Sequence, residues 1–248
     1  MIVFRFKPKF SVIIIFIFIL FTIIGTLTHE LGHITVAKVL GYETELSYGS
    51  MIYYSKGYNE DKDIQLLQEM NATYETTEFE ALEDRVKKDY KALLSKIEKK
   101  FPHNKKYSFW VTLGGPLQTI VTTLIGLYIL YRRESKYRYI YKLIDWLGVF
   151  LGLFILREAF NTITGSVSLM LFNKTEFYGD EFRISRYLEL NQWIIPIITA
   201  IISLLITLYI IFKVIPLRYR FSFIVAGLIG GSLGYVIWFN YLGKIILP

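Results

Sequence analysis

Apolar residues in this chain are gathered into runs instead of recurring at helix or strand spacing. Residues 10–40, 107–131, 143–172, 193–215 and 221–247 each exceed the roughly 18 positions needed to cross a hydrocarbon core ~30 Å thick. In the first run, Ile13-Ile14-Ile15-Phe16-Ile17-Phe18-Ile19-Leu20-Phe21 leaves no polar face for water. The pattern predicts an all-α polytopic membrane protein, a bundle of about five to six transmembrane helices with one extramembrane helical insert. The third run is long, and reads as a tilted helix, a broken one, or two pieces.

Between the first two runs the pattern changes. Charged residues crowd positions 60–106. From Glu78 to Lys100 acidic and basic residues alternate with Phe79, Leu82, Val86, Tyr90, Leu93, Leu94 and Ile97, steps of three and four that predict an amphipathic, solvent-facing helix. Positions 46–55 are Tyr-rich and predict a hairpin or an interfacial segment. The chain therefore divides into a basic tail and first span (1–41), a charged extramembrane insert (42–106), core spans (107–192) and a C-terminal transmembrane hairpin (193–248). The insert reads either as a solvated loop or as a lid over a site.

Charge fixes the expected orientation. The formal net charge is +7, but the basic residues sit beside spans: Arg5, Lys7 and Lys9 before the first, Arg132, Arg133, Lys136, Arg138 and Lys142 between the second and third, and Lys213, Arg218 and Arg220 between the fourth and fifth. Short basic clusters in alternate loops follow the positive-inside pattern, which predicts a cytoplasmic N-terminus and, with five spans, an outside C-terminus. No nucleic-acid motif accompanies the charge. The basic start and apolar run resemble a signal peptide, but no small-x-small cleavage site follows, and the segment reads as a retained helix. The expected location is the plasma membrane of a prokaryote. The absence of cysteine excludes thiolate metal sites and disulfides.

Two of the three histidines lie in His29-Glu30-Leu31-Gly32-His33, inside the first run. On a helix, this spacing sets two imidazoles one turn apart on one face, suited to two corners of a zinc tetrahedron, with Glu30 between them as general base. A carboxylate inside a span is costly and usually marks function. At 1.5 Å per residue the pair lies roughly 27 Å along the helix from Ser11, towards the far end of the span, where water is accessible.

The third ligand must come from elsewhere. His103 stands in a basic linker, Phe101-Pro102-His103-Asn104, and is expected to be exposed. The better candidate is Asp180, in Phe177-Tyr178-Gly179-Asp180-Glu181-Phe182, with Glu181 beside it as the alternative; a carboxylate oxygen completes a two-His site and leaves a fourth position for water. Gly114, Gly115 and Pro116 near the start of the second span permit close helix approach and a local break in the backbone ladder. Arg157, Glu158 and Asn161 interrupt the third run and should face the bundle interior, to pair with Glu30, Asp180 or a substrate.

Taken together, His29-Glu30-Leu31-Gly32-His33 with Ala37 and Gly41 after it, Gly114-Gly115-Pro116-Leu117, and Gly179-Asp180-Glu181 resemble, in the same order, the motifs of the intramembrane site-2 protease family of zinc metallopeptidases. The likeness covers roughly residues 20 to 190. The chain departs from the family pattern at Gln118-Thr119, where Asn often follows, and at Glu181, where Gly is usual, as in a divergent member. The resemblance implies a zinc metalloendopeptidase that cleaves membrane-embedded or membrane-associated proteins, with Zn²⁺ held by His29, His33 and Asp180 and Glu30 as the base. On the residues themselves, Gly114, Gly115 and Pro116 are expected to offer backbone to a substrate strand or simply to pack helices, and Arg157 and Asn161 to act as a structural clamp or at a developing oxyanion; Asn173 is the nearest counterpart of the family's Asn. Two other classes fit the same chain: a catalytically inactive relative that binds or chaperones membrane proteins, and a transporter, although no internal duplication supports the latter.

Overall fold

A computed structural model describes residues 6–74, 79–172, 177 and 179–248. Helix α1 (Pro8–Val39) leads into a hairpin of β1 (Glu43–Leu46) and β2 (Met51–Tyr54), then a helical pair, α2 (Lys62–Thr73) and α3 (Asp84–Lys100). Helix α4 (Lys105–Arg132) follows, then α5 (Leu143–Gly152), α6 (Leu156–Phe172), the short α7 (Asp180–Tyr187), α8 (Ile194–Tyr209), α9 (Leu217–Ile237) and a last turn, α10 (Gly243–Ile246). The protein is an all-α membrane bundle with one small antiparallel hairpin, Glu43 opposite Tyr54 and Leu46 opposite Met51.

Local chemistry sets the helix starts. Pro8 occupies the first turn of α1, where its missing amide is no loss. The Asn104 side chain caps α4 by accepting from the Tyr107 amide at 3.2 Å. Among the described residues four stretches are helical, long and apolar enough to cross a membrane: Pro8–Val39, Lys105–Arg132, Ile194–Val214 and Leu217–Ile246. The expected third span, 143–172, is not one continuous helix. It breaks at a 3-10 turn over Leu153–Ile155, which separates the apolar α5 from α6, the carrier of Arg157, Glu158 and Asn161.

The bundle has two distinct ends. At one, the Lys7 amide donates to Ser222 Oγ at 2.8 Å, Arg218 donates to the Tyr139 carbonyl at 2.8 Å, and Tyr141 donates to the Val214 carbonyl. The three basic segments of the sequence therefore meet at the same end. There Asp145, fully buried, takes both Arg133 Nε and Nη2, at 2.9 and 3.2 Å, and Ser135 Oγ at 2.6 Å. At the opposite end, the Tyr48 amide donates to the Leu247 carbonyl at 2.9 Å and Trp238 Nε1 to the Tyr48 carbonyl at 2.7 Å. The hairpin and the last turns of the chain share that end.

Helix α1 is the central element, packed along α9 and α4. Small residues allow this: a Cβ added at Gly230 would lie 2.7 Å from the Ile15 carbonyl oxygen, so α1 and α9 meet backbone to backbone. The apolar core, built on Ile14, Phe150, Ile210, Phe223 and Ala226 with Phe18 and Trp146 against it, lies in the half of the bundle nearer the basic end.

The insert is not one unit. Helices α2 and α3 pack on each other through Ile64, Leu93 and Ile97, with Lys96 paired to Asp63 at 2.7 Å and Lys100 to Asp61. The amphipathic helix expected from 78 begins at Asp84, after a single 3-10 turn over Phe79–Ala81; Glu78 lies outside the described residues. Helix α2 segregates its apolar residues less cleanly than α3, with Leu66 on its exposed side, and was not read from the sequence. The hairpin, in contrast, docks on the end of α1.

Candidate metal centre

The site begins with two helices in close contact. On α1, His29, Glu30 and His33 are buried, at 0%, 5% and 5% exposure. Their face meets α4 where Gly32 opposes Gly114. A Cβ at Gly32 would stand 2.5 Å from the Gly114 carbonyl oxygen, and one at Gly114 2.6 Å from that of Gly32. Next to them Gly115 leaves room for the imidazoles themselves, since a Cβ there would collide with Nε2 of both His29 and His33.

That closeness gives each ring a partner on its inner nitrogen. His29 Nδ1 lies 2.9 Å from Thr119 Oγ1, and His33 Nδ1 lies 2.7 Å from the Val111 carbonyl oxygen. A carbonyl only accepts, so His33 Nδ1 carries the proton, and in the neutral ring Nε2 presents a lone pair. The Gly115 amide, 3.2 Å from the same Nδ1, has the weaker claim, because that nitrogen's proton is already committed to Val111. Such an orienting bond on the far nitrogen is the usual support of a metal-ligating histidine.

Both outer nitrogens converge on one atom. Asp180 Oδ2, at the first position of α7, lies 2.8 Å from His29 Nε2 and 3.2 Å from His33 Nε2. A carboxylate oxygen facing an imidazole lone pair is acceptor against acceptor, and the arrangement requires positive charge between them, as a proton or a cation. The donor set, two imidazole nitrogens and one carboxylate oxygen, suits Zn²⁺. On the residues alone, then, the site fits the metal that the resemblance implies, and the ligand atoms of His29, Glu30 and His33 lie within 4.8 Å of one another.

Of the two adjacent carboxylates, Asp180 meets the histidines. Glu181 points elsewhere: it is 1% exposed, and both its oxygens accept from Asn161 Nδ2, at 3.3 and 3.2 Å. Glu30 faces Arg157, whose Nη2 lies 3.5 Å from Oε1, and the Met51 backbone lies against its carboxyl. His103 is exposed and hydrogen-bonded to Ser108 at 3.1 Å, outside the ligand cluster.

A cleft of about 1050 Å³ opens onto Glu30, His33 and Asp180. Arg157 and Asn161 line it. Gly114, Gly115 and Pro116 are not among its lining residues; they are buried on α4, with Gly114 against Gly32 and Gly115 against the two imidazoles. Helix α4 runs on through Pro116 without the open break expected there, although Pro116 supplies no amide to the Thr112 carbonyl. Asn173 lies outside the described residues.

Three contributors escaped the sequence reading. Thr119 stands one turn after Gly115, a helical spacing that a search for imidazole partners would have found. The Val111 carbonyl has no sequence signal. The hairpin supplies Gly49, Ser50, Met51 and Tyr53 to the cleft wall, while none of the cleft-lining residues comes from α2 or α3.

No protein-family model, no curated protein and no solved structure matches this chain.

Proposed function

We propose that the chain is an intramembrane zinc metalloendopeptidase of site-2 protease type, acting on membrane-embedded or membrane-associated polypeptides. The observation that carries this reading is the convergence of His29 Nε2, His33 Nε2 and Asp180 Oδ2, from positions about 150 residues apart, beside a buried glutamate at the floor of an open cleft. A packing role for the histidines gives no reason for a second carboxylate, Glu30, buried beside them.

His29, His33 and Asp180 would hold the ion. Zinc, when bound, acts as a Lewis acid that polarises a peptide carbonyl and brings the pKa of water towards ~7. The Glu30 carboxylate takes a proton from the attacking water and returns it to the departing amine nitrogen. Arg157 holds Glu30 in position through Oε1, and Thr119 and Val111 hold the imidazoles with Nε2 outward. The hairpin over the cleft restricts entry to an extended chain. By the positive-inside rule the basic end faces the cytoplasm, which sets the site near the outer face, within reach of water.

Purified Glu30→Gln protein is expected to retain zinc at one equivalent, by elemental analysis, and to lose cleavage of membrane peptides that the wild type removes. Full proteolysis by this variant would refute the assignment of Glu30. Absence of zinc from the wild type would favour the inactive-relative reading.

A further inference from the structure

The charge around the cleft is lopsided. Five cationic side chains line it, Lys105, Lys106, Arg157, Arg183 and Arg186, against the carboxylates of Glu30, Asp180 and Glu189. The carboxylates at the floor are already engaged, Glu30 with Arg157 at 3.5 Å and Asp180 with both histidines. That leaves Lys105, Lys106, Arg183 and Arg186 on the walls, and among the described residues none of the four is in an ion pair. Among the described residues that line the cleft, Glu189 is the one other carboxylate facing them.

Their placement runs against local preference. Lys105 and Lys106 form the first turn of α4, which holds no acidic residue, so two cations sit at the positive end of the helix dipole where carboxylates are favoured. On α7, Asp180, Arg183 and Arg186 recur at three-residue steps and so share a face. Asp180 reaches the histidines, and the two arginines continue along the wall. Both are exposed, as are the two lysines. The positive ends of two helices and four cations thus converge on a single route to Glu30. A site built for a neutral transmembrane segment needs none of this.

We propose that the cleft selects acidic polypeptide: the substrate segment that enters beside Glu30 carries aspartate or glutamate side chains, paired to Lys105, Lys106 and Arg183. The inference rests on the protease reading for its purpose but not for its test. Lipid phosphate is the other anion within reach, yet these cations line the approach to Glu30, where a bound headgroup would obstruct the site.

The test is binding, measured by fluorescence anisotropy on purified Glu30→Gln protein in nanodiscs of neutral phosphatidylcholine. The probes are three labelled peptides of equal length and matched apolar content, rich in Asp/Glu, Ser/Gln or Lys. The acidic peptide is expected to bind about tenfold more tightly than the neutral one, the sum of two or three exposed pairs, with the gap closing at high salt. Combined Lys105→Gln, Lys106→Gln and Arg183→Gln, all at exposed positions, should remove the preference; Arg183→Gln alone should reduce it with an unchanged melting transition. Equal binding of the three peptides, or an acidic preference that survives the triple substitution, overturns the proposal. So does loss of the preference on adding anionic phosphatidylglycerol to the discs, which would assign the cations to lipid. If the wild type bound the acidic peptide selectively but cleaved nothing, the protease reading alone would fail.

Discussion

The two ends of the bundle are packed by different means. At the basic end, Phe10, Phe18, Trp146, Phe150, Tyr219 and Phe223 stack ring against ring, with centroids 4.7 to 6.0 Å apart. At the site end one aromatic cluster, Phe177, Phe182 and Trp193, stands beside a set of buried polar side chains that includes Thr26, His29, Glu30, His33, Thr119, Glu158 and Glu181, and α1 meets α4 through glycine. Aromatic packing is tolerant of small shifts and contributes broadly to cohesion. Polar packing at membrane depth is not, because every buried polar group needs a specific partner. The same helices therefore carry a cohesive half and a half held to narrow geometry, in which Glu158, 2% exposed, lies against the Glu181 carboxyl.

Substitutions that add or remove bulk should separate the halves. The largest effect is expected at Gly115, where even one methyl would occupy the space of the imidazole nitrogens. Gly115→Ala should lose bound zinc and activity together while the protein still folds, since the basic-end core is untouched. Retained stoichiometric zinc in the purified variant would show that the rings have slack the packing does not reveal. Phe223→Ala is the reciprocal change. Phe223 is 2% exposed and touches three other rings, so its truncation should cost about 3 kcal/mol of stability, read as a lower melting transition, with zinc per folded molecule unchanged. Parallel loss of zinc and stability would mean that the two halves do not act separately.

How much of this was written in the sequence follows the same division. The apolar runs announced the spans, because a helix against lipid must be apolar on its outer face, and the four continuous ones appear as expected. The break at Leu153–Ile155 was legible only as excess length. His29 and His33 were legible as a pair because both sit on one helix at fixed spacing. Asp180 was separable from Glu181 only by tertiary contact: neighbours on a helix point about 100° apart, and no local pattern says which faces α1. Val111 acts through its carbonyl, for which any residue would serve. The hairpin could be anticipated as a hairpin, but its position over Glu30 depends on partners nearly 200 residues away.

Those partners make the smallest and most specific contact of the site half. The last span, whose sequence carries no motif, ends by holding the hairpin tip: Trp238 Nε1 donates to the Tyr48 carbonyl at 2.7 Å, the Leu247 carbonyl accepts from the Tyr48 amide at 2.9 Å, and Phe239 packs edge-on to Tyr48. The wider π-helical turn at Trp238–Leu242 is where this contact is made, in keeping with the tendency of such turns to lie at functional positions. Trp238→Phe keeps a ring in the same place and removes the donor together with part of the indole's bulk, so the hydrogen bond sets the lower bound of the effect. The loss of about 1 kcal/mol for one hydrogen bond corresponds to a roughly fivefold rise in hairpin opening. Hydrogen exchange should therefore quicken by at least that factor at the β1 and β2 amides and stay unchanged around Phe150. The KM for a peptide substrate should move without loss of zinc. Exchange that quickens equally throughout α1 would mean that Trp238 supports the bundle and not the hairpin, and the cleft would then have a fixed wall where the structure shows a latched one.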